Sequence, residues 1–192
     1  MKMTQIKQIL ILGFVLVYTG LLKAQVAVTV TNPGNVTPAL AASYTSLSSA
    51  ITALNNTILL TGPVTLTCAA SGTETVPVGG YIIQYTASGS PSNNVVINGA
   101  ATTLTASSTL TAGSLNDAIF KVLGCDNLTI RNFTMQENAG NTTIAAASNN
   151  MTEWGVALIY LSASNGSQNF LLENNTISLN RNYQNTFGFY AN

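Results

Sequence analysis

Few side chains in this sequence of 192 residues are equipped for chemistry, and their types exclude several reactions at once. There is no histidine, and cysteine occurs only at Cys68 and Cys125. An imidazole-based triad and a zinc or haem centre are therefore not expected, because each draws its base or ligands from His and Cys. No cofactor and no metal are implied. Gly62-Pro63 and Gly79-Gly80 read as turns, since no Lys-Ser/Thr pair follows to complete a phosphate cradle. Asp117 and Asp126 flank one strand-like run, 119–123. Cleavage of a glycosidic bond needs two carboxyls about 5–10 Å apart across that bond. Nothing in the spacing brings these two together. They read as solvated loop carboxylates, with Asp126 capping its turn, and no catalytic residue is assigned. The remaining candidates are ligand-binding ones. Lys121, Arg131, Glu137 and Glu173 are expected on successive turns of a repeat. There they would form a polar face for sugars or a weak calcium site, against the alternative of an ordinary solvated wall. Trp154, the single tryptophan, is a candidate for stacking on a sugar ring; the alternative is a packing anchor for the loop before it.

The elements that must position these groups are mostly strands. Residues 44–56 (YTSLSSAITALNN) are the exception. Leu47, Ala50, Ile51 and Leu54 recur at helical spacing, and Ser46 is a suitable N-cap. Elsewhere the period is two. Val64-Thr-Leu66-Thr-Cys68 alternates cleanly. Strands are expected over 26–30, 81–85, 94–99, 119–123, 128–135, 158–161 and 170–179, separated by Gly, Ser, Asn and Pro.

Internal similarity sets the architecture. Asn94-Val-Val-Ile97, Asn127-Leu-Thr-Ile130 and Asn169-Phe-Leu-Leu172 superimpose. The match extends through LTIRNFTMQEN (128–138) and FLLENNTISLN (170–180). Asn132 meets Asn174 and Thr134 meets Thr176, with the longer offset taken up by a loop at 139–153. In each copy an Asn interrupts the inward alternation, and Asn tolerates the left-handed backbone of a sharp corner. Stacked coils about 4.8 Å apart would place Asn132 over Asn174 as an amide ladder and Arg131 over Glu173 as a surface ion pair. An antiparallel sandwich would need tight hairpins every 8–12 residues, which the longer repeat unit does not supply.

The segments YTSLSSAITALN, TGPVTLTC, NNVVING, DNLTIRNFTMQEN and NFLLENNTISLN resemble the secreted right-handed parallel β-helix proteins of pectate-lyase-like fold, especially surface and secreted proteins of Bacteroidetes. The resemblance spans about Tyr44 to Asn192. It implies an all-β single-stranded solenoid whose open N-terminal end is capped by the helix. It also implies a carbohydrate context, because that family's enzymes act on polysaccharides. Their grouped aspartates, or Arg/Lys base with carboxylate-held calcium, do not map onto this sequence.

The first 24 residues read as a cleaved secretory signal. Lys2 and Lys7 precede an uncharged apolar run, 9–22, and Ala24 fits the cut. That run is short for a membrane span, which needs about 20 residues. The expected organisation is therefore 1–24 signal peptide, 25–43 lead-in and 44–192 β-helix domain, the last read as incomplete. After cleavage, Lys121, Arg131 and Arg181 face Glu74, Asp117, Asp126, Glu137, Glu153 and Glu173, a net −3. That argues against nucleic acid or an anionic membrane as partner. Export permits a Cys68–Cys125 disulfide; two separate buried thiols are the alternative. The functional expectation is a secreted or cell-surface, non-catalytic β-helix with a polar face for adhesion or glycan binding. The alternative is a fragment of a polysaccharide lyase or glycoside hydrolase.

Overall fold

A computed structural model describes residues 25–87, 90, 92–108, 110, 117–145, 148–182 and 185–192. The expected signal segment lies outside them. The lead-in forms β1 (Val28–Thr31), β2 (Val36–Thr37) and β3 (Ser43–Tyr44). Helix α1 (Leu47–Asn55) follows. Ser46 is its N-cap and Ser49 returns the bond, completing a capping box. The expected face, Leu47, Ala50, Ile51 and Leu54, is the buried one.

After β4 (Leu59–Leu60) the chain winds as a parallel β-solenoid of about three turns. Its rungs are β5 (Val64–Cys68), β6 (Thr73–Thr75) and β7 (Tyr81–Ile83); β8 (Val95–Thr105) and β9 (Ala118–Leu123); β10 (Leu128–Gln136) and β11 (Trp154–Ile159); and β12 (Leu171–Glu173), β13 (Thr176–Ser178) and β14 (Phe187–Ala191). One sheet runs β12-β10-β8-β5-β1-β3, with β6 and β13 attached to β8 and β10; the other runs β14-β11-β9-β7. All pairings among β5–β14 are parallel, whereas β1 lies antiparallel on β5.

The register follows the sequence repeat. Leu66, Ile97, Ile130 and Leu172 align on successive rungs, as do Leu104, Met135 and Ile177. In the first three coils these side chains are fully buried, each contributing roughly 1.5–3 kcal/mol. Tyr81, Phe120 and Phe133 bridge the two sheets, with ring centroids 5.2 and 5.4 Å apart. On the final rung Leu172 and Ile177 are only partly buried, and Leu171, Phe187 and Phe189 are exposed.

Left-handed residues turn each coil between its two legs. Asn132 (φ 60°) and Asn174 (φ 53°) occupy the expected corners, and Ser71 (φ 54°) stands at the first coil's turn. In the second coil the pairing jumps from Arg131–Asn98 to Phe133–Thr102. Gly99, Ala100 and Ala101 there oppose the single Asn132. Both alanines are left-handed, at φ 47° and 65°. Gly99 is required by close approach, because a Cβ on it would lie 2.5 Å from the Phe133 ring. The amide ladder differs from expectation. Asn132 donates its Nδ2 to Asn98 Oδ1 at 2.9 Å and makes no bond to Asn174, while the inter-coil amide pair between the third and fourth coils is Asn169–Asn127.

The N-terminal end is closed by a buried acid at an inward position. Glu74 accepts from the Tyr81 hydroxyl at 2.7 Å, from Val26 N at 2.8 Å and from Leu47 N at 3.4 Å. One carboxylate thus ties the lead-in and the first turn of α1 to the first coil. Among the described residues no helix is long and apolar enough to cross a membrane.

Candidate functional site

The four charged candidates do not converge. Arg131 and Glu173 do meet, Nη1 to Oε1 at 3.4 Å on adjacent rungs, with both side chains more than a third exposed. Glu137 is turned to another task. Its Oε1 accepts from Asn138 N (3.1 Å), Asn141 Nδ2 (2.8 Å) and Thr152 Oγ1 (2.8 Å), and its Oε2 accepts from Thr152 N (3.0 Å). It therefore clamps both ends of the long loop that sequence placed after it. Lys121 belongs to the other sheet, on β9. Burial pushes its ammonium pKa down, and the nearby carboxylates of Asp117 and Glu153 partly oppose that shift.

Asp117 is not the solvated carboxylate expected from sequence. It is buried, as is Glu153; Asp117 N donates to Glu153 Oε2 at 2.8 Å, and Asp117 O accepts from Glu153 N and Trp154 N. The reason lies in the strand pairing: Trp154 opposite Ala118 brings the end of the loop against the start of β9. Asp126 accepts from Gln168 N at 2.7 Å, linking two coils. Trp154 stacks on Tyr190 at 4.6 Å with a 10° interplanar angle, so its ring packs between successive rungs.

Cys68 and Cys125 are free thiols, both buried. The permitted disulfide is not formed. Cys68 lies on the first coil of one sheet, while Cys125 follows β9 of the other and donates its thiol to Ile83 O at 3.3 Å. Burial raises both thiol pKa values to about 12, and the Glu74 charge adds to the effect at Cys68.

A more regular surface occupies the second leg of the coils. Thr73, Thr103, Thr134 and Thr176 stand on four consecutive rungs, in register. Two residues along each strand, Thr75, Thr105, Gln136 and Ser178 form a second column. The residues between the columns, Glu74, Leu104, Met135 and Ile177, belong to the interior side. Strand geometry sets spacings of about 4.8 Å between rungs and about 6.7 Å between columns. Threonine is stiff at χ1, so each hydroxyl and methyl is held in place by its backbone. Gln136 Nε2 donates to Thr105 Oγ1 at 3.0 Å, whereas the four first-column hydroxyls make no hydrogen bond among the described residues.

Each column is flanked by a groove of about 370 Å³. One follows the Asn corners and is lined by Ala100, Ala101, Asn132 and Asn174 beside Thr134 and Thr176. The other lies beyond the second column, between Ser178, Asn180 and the turn carrying Glu137, Asn138 and Asn141.

Comparison with protein-family models, with curated proteins and with solved structures returned no match. The chain is a parallel β-solenoid, and that is as far as likeness carries it.

The threonine columns were not read from the sequence. Their signal is present as T-x-T at 73–75 and 103–105, then T-x-Q at 134–136 and T-x-S at 176–178. Only the Thr134–Thr176 step emerged from the repeat, because coil spacing differs between turns and 73–75 is too short for strand periodicity.

Proposed function

We propose that this is an exported, cell-surface or secreted β-helix protein that binds an extended glycan along its threonine wall and serves in adhesion or glycan recognition without catalysis. The observation that carries this reading is the first column: four hydroxyls on four consecutive rungs at a fixed repeat, none hydrogen-bonded among the described residues. A polymer with repeating hydroxyls can meet such a column at several points, and weak contacts along one chain multiply into useful avidity. Support also comes from the signal-like first 24 residues and from the resemblance to pectate-lyase-like β-helix proteins of Bacteroidetes. A polysaccharide-cleaving reading draws less support. Asp117 and Glu153, joined by the bond from Asp117 N to Glu153 Oε2, are both buried, and an acid that cleaves a glycosidic bond must reach it.

The test is a glycan array probed with the purified protein and with a Thr103→Lys/Thr134→Lys double variant. Binding by the parent that falls at least tenfold in the variant, at unchanged thermal stability, is the expected result. Glycan binding that ignores the double variant would remove the wall from the account, and turnover of any polysaccharide would replace the reading with an enzymatic one.

A further inference from the structure

The threonine wall is a lattice as well as a column, and a lattice can match a crystal. Thr73, Thr75, Thr103 and Thr105 form a complete two-by-two block, and Thr134 and Thr176 carry the first column over two more rungs. Gln136 and Ser178 continue the second column with uncharged polar side chains, so no charge stands in either column. All of these residues are exposed or half-exposed. Strand geometry spaces them by about 4.8 Å in one direction and about 6.7 Å in the other. Each threonine offers a hydroxyl and a methyl from one stiff rotor. The first-column hydroxyls have no protein partner among the described residues, so water is what they bond. The backbone ladder sets where that water sits, and the methyls between order it further without bonding it.

The first leg of the coils shows that a threonine-rich composition does not by itself make such a face. Thr65 and Thr67 begin the same pattern there. On later rungs they are followed in register by Val96 and Asn98, then by Thr129 and Arg131, then by Leu171 and Glu173. The Arg131–Glu173 ion pair imposes its own hydration on that face. Only the second leg keeps an uncharged, hydroxyl-bearing array over all four rungs.

We propose that the threonine wall adsorbs to ice. The prism face of hexagonal ice presents a rectangular array of oxygens whose two repeats are close to the spacings of the wall. Water held by the hydroxyls then needs little rearrangement to join the crystal, and a surface organised in advance loses less entropy on binding. Ice between adsorbed molecules can advance only as a curved front, which lowers its freezing temperature below its melting temperature. The inference does not rest on the glycan-binding reading. A glycan meets the hydroxyls of one column, whereas ice uses both columns, the methyls and the stiffness of the rotors.

Nanolitre osmometry of the purified protein tests this by reading the gap between melting and freezing temperatures and the habit of a single ice crystal. The expected result is a faceted crystal and a gap that grows with protein concentration. Thr103→Lys/Thr134→Lys sets two long charged chains into the lattice and lowers the gap at least tenfold at unchanged Tm. Thr29→Lys, at an exposed position of β1 away from the wall, leaves the gap unchanged. Thr103→Ser/Thr134→Ser keeps both hydroxyls but loses the methyls and the fixed rotamers, and lowers the gap at least threefold. An unshaped crystal and no gap at millimolar protein overturn the proposal, and so does full activity in the lysine or the serine pair. The glycan array is a separate readout. Shaped ice with a blank array keeps this inference and removes the glycan reading; glycan binding without any effect on ice does the reverse.

Discussion

Asn169 donates its Nδ2 to Asn127 Oδ1 at 3.0 Å, and both residues hold the left-handed conformation at φ 54°. Each stands just before a strand of its coil, and Asn127 is buried. One residue type thus does two things at this corner: it tolerates the bend and it bonds to the neighbouring turn.

Asn127→Ala removes both contributions. Left-handed backbone disfavours alanine by about 1–2 kcal/mol, and the lost hydrogen bond adds about 1 kcal/mol. A loss of about 2–3 kcal/mol is expected in urea unfolding. Asn127→Gly keeps the backbone permitted and should lose about half as much. Equal losses in the two variants would mean that the bend is not under strain.

The second coil offers the reverse experiment. Ala101 is left-handed at φ 65° and exposed. Ala101→Gly should raise stability by about 0.5–1 kcal/mol, because the relieved Cβ clash exceeds the extra entropy of the unfolded chain. A higher midpoint of thermal unfolding checks this.

Glu137 is expected to control the loop rather than the wall. Glu137→Ala leaves three donor residues without their acceptor and should destabilise by about 2–3 kcal/mol. Limited proteolysis should then cut within 139–145 before the solenoid opens. Glu137→Gln, which retains one acceptor oxygen, should lie between parent and alanine variant in cutting rate.

Stability should fall at alkaline pH. An unfolded thiol loses its proton near pH 8.5–9, whereas burial holds Cys68 and Cys125 protonated up to about 12. Burial first, then nearby acidic groups, likewise raises the phenols of Tyr81 and Tyr85. Above pH 9 the unfolded chain binds fewer protons than the native one, so rising pH favours unfolding. This contribution is fully present below pH 8 and is lost progressively from pH 9 toward 12. Urea midpoints measured from pH 7 to 11 should decline, and Cys125→Ala should decline less steeply. Neither thiol should react with an alkylating reagent in the native state at pH 8.

Much of the architecture was legible because the repeat is local and written in side-chain type. The 42-residue offset, the Arg131–Glu173 contact and the Asn132 and Asn174 corners follow directly from aligning one coil on the next. The helix was legible from its apolar face and Ser46. Strand β11 was displaced by four residues from its expected start, because Trp154-Gly155 carries no alternation and only pairing with β9 makes it a strand. The buried placement of Asp117 was invisible for the same reason: it depends on a loop end brought back across 36 residues. The function of Glu137 could not be read either, since nothing in its neighbours marks it as the acceptor for Thr152. Arg131 and Glu173 meet, whereas Lys121 lies on the other sheet, because the coil has walls and sequence order alone does not say which wall a charge will face.

The variable coil lengths have a consequence for how this molecule can change. Paired positions are separated by 31 residues from Val64 to Val95, 33 from Val95 to Leu128 and 42 from Thr129 to Leu171. The rungs nevertheless keep one spacing. The solenoid therefore behaves as a graduated ruler whose marks are insensitive to what is hung beside them. Under the proposed glycan-binding reading, an insertion at a corner would alter which unit is recognised at that mark, while adding or removing a whole turn would alter how many units are counted. On that reading selectivity and reach would be tuned independently, the first by a loop and the second by a rung.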